Sequence, residues 1–239
     1  MKVSIIVPCY NEEEGIENLK NQLNPVIAGL QKGYKLEVIF IDDGSTDNTN
    51  ALLHHEYGKR KYVKIIKHKK NMNLGAALKT GFRYATGNFI FTLDSDCTYH
   101  PKLIFPMLEL IKDADIITAS PEHPNGKIVN VQKYRIFLSK TVTNIYRIIV
   151  SPKIYTYGAM VRLYRKNAIK NIKIKADDFL AVPEIMVKAV LKGYRIRELP
   201  TTLRVRIYGG SKMKLAKTIK SHSFFIFRII LHRLTGAKL

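Results

Sequence analysis

The chain contains no tryptophan and only two cysteines, Cys9 and Cys97, among its 239 residues. Two cysteines are too few for a disulfide framework, and we expect both thiols to be small core residues of a protein in a reducing compartment. Long hydrophobic runs are also missing. The most apolar stretch, residues 224–231, is interrupted by Arg228 and falls short of the roughly 20 residues that span a bilayer. The sequence therefore predicts neither a disulfide scaffold nor a transmembrane helix.

Acidic residues are scarce in one half of the chain. Residues 1–120 hold 15 Lys and Arg against 14 Asp and Glu, whereas residues 121–239 hold 25 against 5. The formal net charge of +21 is therefore carried almost entirely by the second half. This asymmetry indicates a surface that meets a polyanion, and both nucleic acid and an anionic membrane fit that description.

Strand-like and helix-like segments alternate through the first half. Short apolar runs predict strands over residues 3–8, 36–41, 63–66, 88–93 and 116–118. Helices are predicted between them over residues 12–30, 73–85 and 101–112, together with a short helix that ends at His55 and has Thr46 or Asp47 as its N-cap. Strands separated by helices of this length form parallel, right-handed crossovers. We predict an α/β fold with a Rossmann-like, mixed but mainly parallel sheet flanked by helices.

The second half is less regular. It predicts a helix over 129–150, a strand over 161–164, a helix over 178–191, an extended segment over 194–205 and a basic amphipathic helix over 212–234. No linker or repeat separates the halves. We therefore expect one domain over residues 1–211, followed over residues 212–239 by a basic helix suited to a membrane surface.

Two aspartates, Asp94 and Asp96, follow the predicted strand over residues 88–93. In open α/β sheets, ligands bind outside the carboxyl ends of the strands. Closely spaced carboxylates repel each other unless a cation or hydrogen-bond donors lie between them. The pair suits Mg²⁺ or Mn²⁺, which takes oxygen ligands and often shares a substrate phosphate. A polar turn is the alternative interpretation.

Several further motifs occur in order along nearly the whole chain. They are Val7-Pro8-Cys9-Tyr10-Asn11-Glu12, the acidic loop 42–49, the Asn-x-Gly-x-Ala segment 73–77, Asp94-Ser95-Asp96 with His100-Pro101, the segment 162–165, Glu184, the segment 193–200 and the Arg-x-x-Gly-x-Ser-Lys loop 206–212. Together they resemble the inverting GT-A glycosyltransferases of family 2, in particular the dolichyl-phosphate mannose synthase or polyprenyl-phosphate branch. The resemblance implies transfer of a hexose, with mannose favoured, from a donor such as GDP-mannose to a dolichyl or polyprenyl phosphate.

The resemblance also implies a set of site residues. Asp94 and Asp96 would hold the metal ion against the donor diphosphate, and Arg206 and Lys212 would grip phosphate from a mobile loop. Glu184 falls where the synthases carry an acid near the acceptor, with an ordinary helix acid as the alternative. The expected catalytic residues are Asp96, Arg206, Lys212 and Glu184. The expected nucleotide-sugar site comprises Pro8, Tyr10, Glu12, Asp42, Asp43, Asp94, Ser95, Asp96, Arg206 and Lys212.

Two departures from the family pattern affect the sugar and acceptor region. The synthases usually carry Gly-Ser-Arg after the fifth strand, where this chain has the stretch Thr118-Ala119-Ser120-Pro121, so a phosphate-binding arginine is missing, and Arg135 or Arg162 is the candidate to replace it. Residues 155–160 also depart from the usual Asp-x-x-Ser-Gly. The donor sugar therefore stays open among mannose, glucose and N-acetylglucosamine.

Other functions remain open at this stage. An enzyme of the same fold that acts on a saccharide hydroxyl would need a general base, for which Asp177 and Asp178 are candidates. A basic nucleic-acid-binding or membrane-binding module would explain the charge alone. The chain carries no base-reading motif, and acids in a binding groove oppose phosphates, so we expect no nucleic-acid partner. We expect a peripheral protein on the cytoplasmic face of an anionic membrane, with room for a separate membrane-anchoring subunit.

Overall fold

The structure is a computed structural model that describes residues 1–205, 215–237 and 239. Its strands are β1 (Lys2–Cys9), β2 (Lys35–Asp42), β3 (Val63–Lys67), β4 (Phe89–Thr92), β5 (Ile116–Ser120), β6 (Lys127–Val129), β7 (Arg162–Arg165), β8 (Ile196–Pro200) and β9 (Thr202–Arg204). Its α-helices are α1 (Ile16–Gln31), α2 (Thr49–Tyr57), α3 (Leu74–Tyr84), α4 (Ile104–Leu110), α5 (Lys133–Ile149), α6 (Lys166–Lys170), α7 (Ala181–Leu191) and α8 (Leu215–Thr235).

Seven of the strands form one mixed sheet in the order β3-β2-β1-β4-β7-β5-β8. The pairs β1–β2, β1–β4, β2–β3 and β5–β8 are parallel, and β7 runs antiparallel to both of its neighbours. The predicted mixed, mainly parallel sheet is therefore confirmed. Because only β7 is reversed in this sheet, the carboxyl ends of its other six strands lie at one edge.

Helices cover both faces of the sheet. One face packs against α1, α2 and α4 through residues such as Val7, Leu23 and Met107. The other face packs against α3, α6 and α7 through residues such as Ile6 and Ile185. Burial on both faces explains why the central strands β1, β2 and β4 are nearly continuous apolar runs.

The structure corrects two predicted boundaries in the second half. The helix predicted over 129–150 begins only at Lys133, because residues 127–129 form β6 and pair in parallel with β9. The extended segment predicted over 194–205 is divided between two sheets, since β8 pairs with β5 and β9 pairs with β6. A three-residue strand such as β6 has no sequence period of its own and is identified by its partner.

The terminal helix α8 packs against α5 and α7 around Tyr146. The Tyr146 hydroxyl lies 2.9 Å from His222 Nδ1, and Phe225 and Ile229 are buried in the same cluster. The predicted start of this helix, residues 212–214, lies outside the described residues. In the described part of the chain, each helix is too short or too polar to cross a membrane.

Candidate functional site

A cavity of about 880 Å³ opens at the edge of the sheet where the carboxyl ends of the parallel strands meet. The first, second and fourth strands and the α3, α5 and α8 regions all contribute to it. Its lining includes the predicted side chains Pro8, Tyr10, Glu12, Asp43, Asp94, Ser95 and Asp96. Pro8 and Asp96, which are 88 positions apart in the sequence, are thus brought to one cavity, as the order of the strands predicts.

The loop after β1 is fixed by hydrogen bonds to the loop after β2. Ser45 Oγ accepts from Asn11 N at 3.0 Å, and Thr49 Oγ1 accepts from Glu12 N at 2.7 Å. Glu12 is buried although it lines the cavity. The hydroxyls of the acidic loop therefore hold the backbone that carries Tyr10 and Glu12.

The neighbouring aspartates at the end of β2 have different surroundings. Asp42 is fully buried and is not among the cavity-lining residues; its Oδ1 accepts from Ser45 N at 2.9 Å, and Lys67 Nζ lies 3.7 Å from Oδ2. Asp43 does line the cavity, and its Oδ1 lies 2.6 Å from His68 Nδ1, within hydrogen-bond distance. Burial raises the pKa of Asp43, and its hydrogen bond with His68 opposes that shift. The structure thus brings Asp43, and not Asp42, to the cavity surface.

Asp94 and Asp96 both line the cavity directly after β4. The Asp96 carboxylate accepts from Thr98 N at 3.1 Å, and Thr98 O accepts from Arg204 N at 3.2 Å. The carboxylate loop is therefore attached to the end of β9. No cluster of three or more His, Cys, Asp or Glu side chains suited to a metal ion occurs among the described residues. A cation here would take its remaining ligands from substrate or water.

Left-handed backbone conformations concentrate around this cavity. Four non-glycine residues in the described chain have positive φ, namely Asn11 (50°), Asn73 (71°), Cys97 (53°) and Asn130 (60°). Asn73 and Asn130 line the cavity, and the other two are adjacent in sequence to lining residues. Such conformations cost about 1–3 kcal/mol each and persist where the surrounding structure imposes them, often at functional sites.

The start of α3 lies against residues 176–178, in the loop that precedes α7. Ala76 N donates to Asp177 O at 3.1 Å, and a Cβ atom on Gly75 would lie 2.6 Å from Ala176 O. Asp178 lines the cavity, whereas Asp177 pairs with Lys79 and is not among the lining residues. Of the two candidate bases, the structure places Asp178 at the cavity.

Glu184 lies away from the cavity lining. It is buried on α7, pairs with Lys188, and accepts hydrogen bonds from Lys175 N and Ala176 N, the latter at 2.8 Å. Lys188 Nζ also donates to Lys173 O at 2.8 Å. In this structure the Glu184 carboxylate therefore holds the backbone immediately before Asp177 and Asp178.

The two candidates for the missing arginine also differ in position. Arg162 is fully buried in β7 and donates to Thr118 Oγ1, Val182 O and Tyr157 O, so its guanidinium is used inside the protein. Arg135, at the start of α5, lines the cavity. The predicted cations Arg206 and Lys212 lie outside the described residues.

Sequence reasoning missed other lining or supporting residues. Arg204 and Lys217 line the cavity, and His68 supports Asp43 from behind. Arg204 depends on the unforeseen β6–β9 pairing, and Lys217 is one of many cations in a basic helix. His68 directly follows β3, at the same sheet edge as Asp42, so the strand order contained a signal that could have identified it.

Comparisons with known proteins agree with this geometry. The family profile described as Glycosyl transferase family 2 matches residues 4–173. The chain is 32% identical over 234 residues to a dolichol-phosphate mannosyltransferase of Pyrococcus furiosus, covering 96% of this chain and 64% of the relative. It is 27% identical over 246 residues to a dodecaprenyl-phosphate galacturonate synthase of Rhizobium johnstonii, covering 98% and 66%. The chain thus spans slightly less than two thirds of the length of each of these curated relatives.

A solved structure shares the fold. Glucosyl-3-phosphoglycerate synthase from Mycobacterium tuberculosis, in complex with Mg²⁺ and UDP, superposes with a TM-score of 0.71 at 15% identity. The match covers 97% of this chain and 79% of that one. The expected GT-A fold is confirmed by this likeness.

Proposed function

Since the chain belongs to glycosyl transferase family 2, we propose that it transfers a hexose from a nucleotide-diphosphate sugar to a polyprenyl or dolichyl phosphate, with inversion at the anomeric carbon. The observation that supports this most is the single cavity that joins Tyr10, Glu12 and Asp43 to Asp94 and Asp96. Mannose is the favoured sugar, because the Pyrococcus furiosus relative is a mannosyltransferase.

The donor nucleotide would bind between the first and second strands. Tyr10 offers an aromatic face for the base, while the carboxylates of Glu12 and Asp43 accept hydrogen bonds from base or ribose groups. The diphosphate would extend toward Asp94 and Asp96. This arrangement follows the rule that nucleotides bind at the carboxyl edge of an α/β sheet.

The residues present fit a divalent cation shared with the donor. Mg²⁺ typically takes one or two protein carboxylates and completes its shell with substrate phosphates and water. Asp94 and Asp96 supply two carboxylates on one cavity wall, and we propose them as the metal ligands. When bound, Mg²⁺ or Mn²⁺ would neutralise charge on the departing diphosphate.

The acceptor needs positive charge more than it needs a base. A phosphate monoester is largely ionised at neutral pH, since its second pKa is about 6. Its oxygen would form the new bond to the anomeric carbon as the bond from that carbon to the diphosphate oxygen breaks. We propose that Arg135 and Lys217 hold the acceptor phosphate at the cavity, together with Arg206 and Lys212.

Asp178 supports a second candidate function, in which the acceptor is a saccharide hydroxyl. Its carboxylate lies at the cavity, accepts from Leu180 N at 3.0 Å, and accepts from Ser221 Oγ at 2.7 Å. A hydroxyl nucleophile must lose a proton, which a positioned carboxylate can accept. Under this reading, Asp178→Asn abolishes transfer. Under the lipid-phosphate reading, the variant retains most of it.

We also propose that α5 and α8 rest on an anionic membrane. The outward face of α8 exposes apolar side chains within one arc of the helix, namely Ile219, Phe224, Phe227, Ile230, Leu231 and Leu234. Ile148 and Phe137 of the adjoining helix α5 are also exposed, at 81% and 69%. Exposed apolar residues beside a strongly basic surface suit the headgroup region of such a membrane, where a lipid phosphate acceptor is found.

The first test is thermal unfolding with GDP and UDP, each with and without Mn²⁺. Ligand at about 100 times its dissociation constant adds about 2.7 kcal/mol of stability, which corresponds to roughly 5–10 °C in a chain of this size. We expect a rise that needs both metal and one nucleotide, and that disappears in Asp94→Asn. Asp113→Asn, an exposed aspartate elsewhere, is the matched control. A wild-type protein indifferent to every combination contradicts the proposal.

A further inference from the structure

His68 lies behind one wall of the cavity, between the sheet and α3. Its side chain is 10% exposed, and its imidazole makes two hydrogen-bond contacts. Nδ1 is 2.6 Å from Asp43 Oδ1, and Nε2 is 3.0 Å from Thr80 Oγ1. The imidazole thus connects a buried hydroxyl on α3 to a carboxylate that lines the cavity.

The hydrogen-bond partners of the His68 imidazole indicate which ring nitrogen carries the proton. Asp43 Oδ1 accepts from Met72 N at 3.0 Å, and an ionised carboxylate has no proton to donate, so we infer that His68 Nδ1 is the donor. The Thr80 hydroxyl either donates to Nε2 or accepts from it, which suits both the neutral and the charged ring. The Nδ1 proton is therefore retained in both protonation states.

Protein donors use only part of the acceptor capacity of the Asp43 carboxylate. An ionised carboxylate has about four lone-pair sites. His68 Nδ1 and Met72 N both donate to Oδ1, whereas Asn73 N donates to Asn71 Oδ1 at 3.0 Å. Acceptor capacity remains for a donor from a molecule in the cavity. Because both protein contacts are made to Oδ1, they hold the carboxylate in one orientation.

We propose that His68 is a positioning residue for the nucleotide of the donor sugar. Through Nδ1–H it holds the Asp43 carboxylate where that group accepts a hydrogen bond from the base or the ribose. The inference rests on the proposed function, since it assumes that a nucleotide occupies this part of the cavity. His68 does not touch the nucleotide, and its effect is transmitted entirely through Asp43.

Three substitutions separate this role from simple packing. In asparagine, Nδ2 is bonded to Cγ just as Nδ1 is in histidine, so His68→Asn keeps a donor toward Asp43. In glutamine, the amide lies one carbon further out, nearer the position of Nε2, so His68→Gln supports Thr80 instead. His68→Ala removes both contacts. His55→Ala, whose ring on α2 is 80% exposed, is the matched control.

The experiment is isothermal titration of each variant with UDP and GDP in the presence of Mn²⁺, together with thermal unfolding. Because hydrogen bonds to charged groups are stronger than neutral ones, losing the His68–Asp43 bond should weaken nucleotide binding roughly 10-fold in His68→Ala and His68→Gln. We expect His68→Asn to stay within about 3-fold of wild type, and His55→Ala to be unchanged. In transfer assays, the loss should raise the donor KM and leave kcat and the acceptor KM unaltered.

The outcomes distinguish the inference from the function on which it rests. Wild-type binding with no loss in His68→Ala overturns the role of His68 alone. Equal losses in the Ala, Asn and Gln variants, accompanied by equal falls in unfolding temperature, show a packing role and also overturn it. A wild-type protein that binds neither nucleotide overturns both proposals. Nitrogen chemical shifts of His68 provide a check independent of binding, because an unprotonated Nδ1 contradicts the geometry.

Discussion

Ser221 on α8 donates a hydrogen bond to Asp178 Oδ2 over 2.7 Å, and this bond ties the C-terminal helix to the cavity. The same helix lines the cavity with Lys217 and Thr218. Its outward face exposes Phe224 and Phe227 at 65% and 61%. One helix therefore connects the proposed membrane surface to the proposed acceptor site. A displacement of this helix on a bilayer would alter its hydrogen bond to Asp178.

Removing the Ser221 hydroxyl should loosen this connection. We expect Ser221→Ala to cost about 1 kcal/mol, or roughly 2–4 °C in unfolding temperature, because the Asp178 carboxylate loses a donor. Transfer to a lipid acceptor should fall several-fold while nucleotide affinity stays unchanged. Ser223→Ala, at an exposed position of the same helix, is the control, and we expect it to match wild type. Equal behaviour of the two variants in both assays would contradict the connection.

Gly75 is required where α3 approaches the loop of residues 176–178 that precedes α7. A Cβ atom there would lie 2.6 Å from Ala176 O and 2.7 Å from both Ala181 Cβ and Asp177 C, and two of these neighbours are backbone atoms that cannot rotate away. We expect Gly75→Ala to destabilise the protein by about 1–3 kcal/mol, as overpacking does. It should also lower activity by displacing the loop that carries Asp178.

The control for this substitution is Gly33→Ala, since nothing lies within 4 Å of a Cβ atom at Gly33. Urea unfolding measures both variants. Similar midpoints for Gly75→Ala and wild type would show that the loop accommodates the methyl group, contrary to the close approach seen here.

The fold could be predicted because its central strands, β1, β2 and β4, are buried on both faces. Burial makes them short apolar runs, and the helices between them carry the 3.6-residue period, so both signals are local in sequence. The position of Asp94 and Asp96 followed from the same logic, since the end of a strand in a parallel sheet is also the ligand edge. These predictions needed no knowledge of which residues contact each other.

The remaining site residues depended on contacts between distant segments. Arg162 and Arg135 look alike in sequence, but antiparallel pairing in β7 buries the first, while the start of α5 places the second at the cavity. The position of Glu184 in the sequence is compatible with a site acid, whereas in the structure its carboxylate accepts from the backbone of residues 175 and 176 and pairs with Lys188. Local periodicity cannot distinguish these cases, because each depends on which segment packs against the side chain.

Glu37 on β2 should make stability sensitive to acid. Burial alone would raise its pKa, but hydrogen bonds from Thr86 N, Ser4 Oγ and Lys64 Nζ outweigh burial and lower the pKa to about 2, from an ordinary value of 4.5. A depressed pKa in the folded state stabilises the protein above pH 4.5, and that contribution is lost as the pH falls from 4.5 toward 2. We therefore expect an acid-labile fold.

The substitution that tests this is Glu37→Gln, with Glu109→Gln at an exposed position as control. At pH 7, we expect the first variant to be less stable than wild type by on the order of 3 kcal/mol. The gap should narrow as the pH falls below 4.5, because wild-type Glu37 then becomes neutral as well. Urea unfolding from pH 7 to pH 3 measures it, and a gap independent of pH would exclude titration of Glu37 as the cause.

The exposed face of α8 should determine membrane binding. Phe224 and Phe227 lie one turn apart on the outward side, so replacing both with serine removes apolar area without touching the buried Phe225 and Ile229. Complete burial of one such ring is worth about 1.5–3 kcal/mol. Partial burial of two rings in the headgroup region should therefore change partitioning onto anionic vesicles by at least roughly 10-fold.

Sedimentation with vesicles containing phosphatidylserine measures this partitioning. Tyr84→Ser is the control, because that exposed ring lies at the far end of α3, away from the cavity edge. Salt should weaken binding of the double variant and of wild type in the same proportion, since the substitution leaves every cation in place. If the double variant sediments as fully as wild type, the basic surface alone recruits the protein, and the apolar face of α8 requires another explanation.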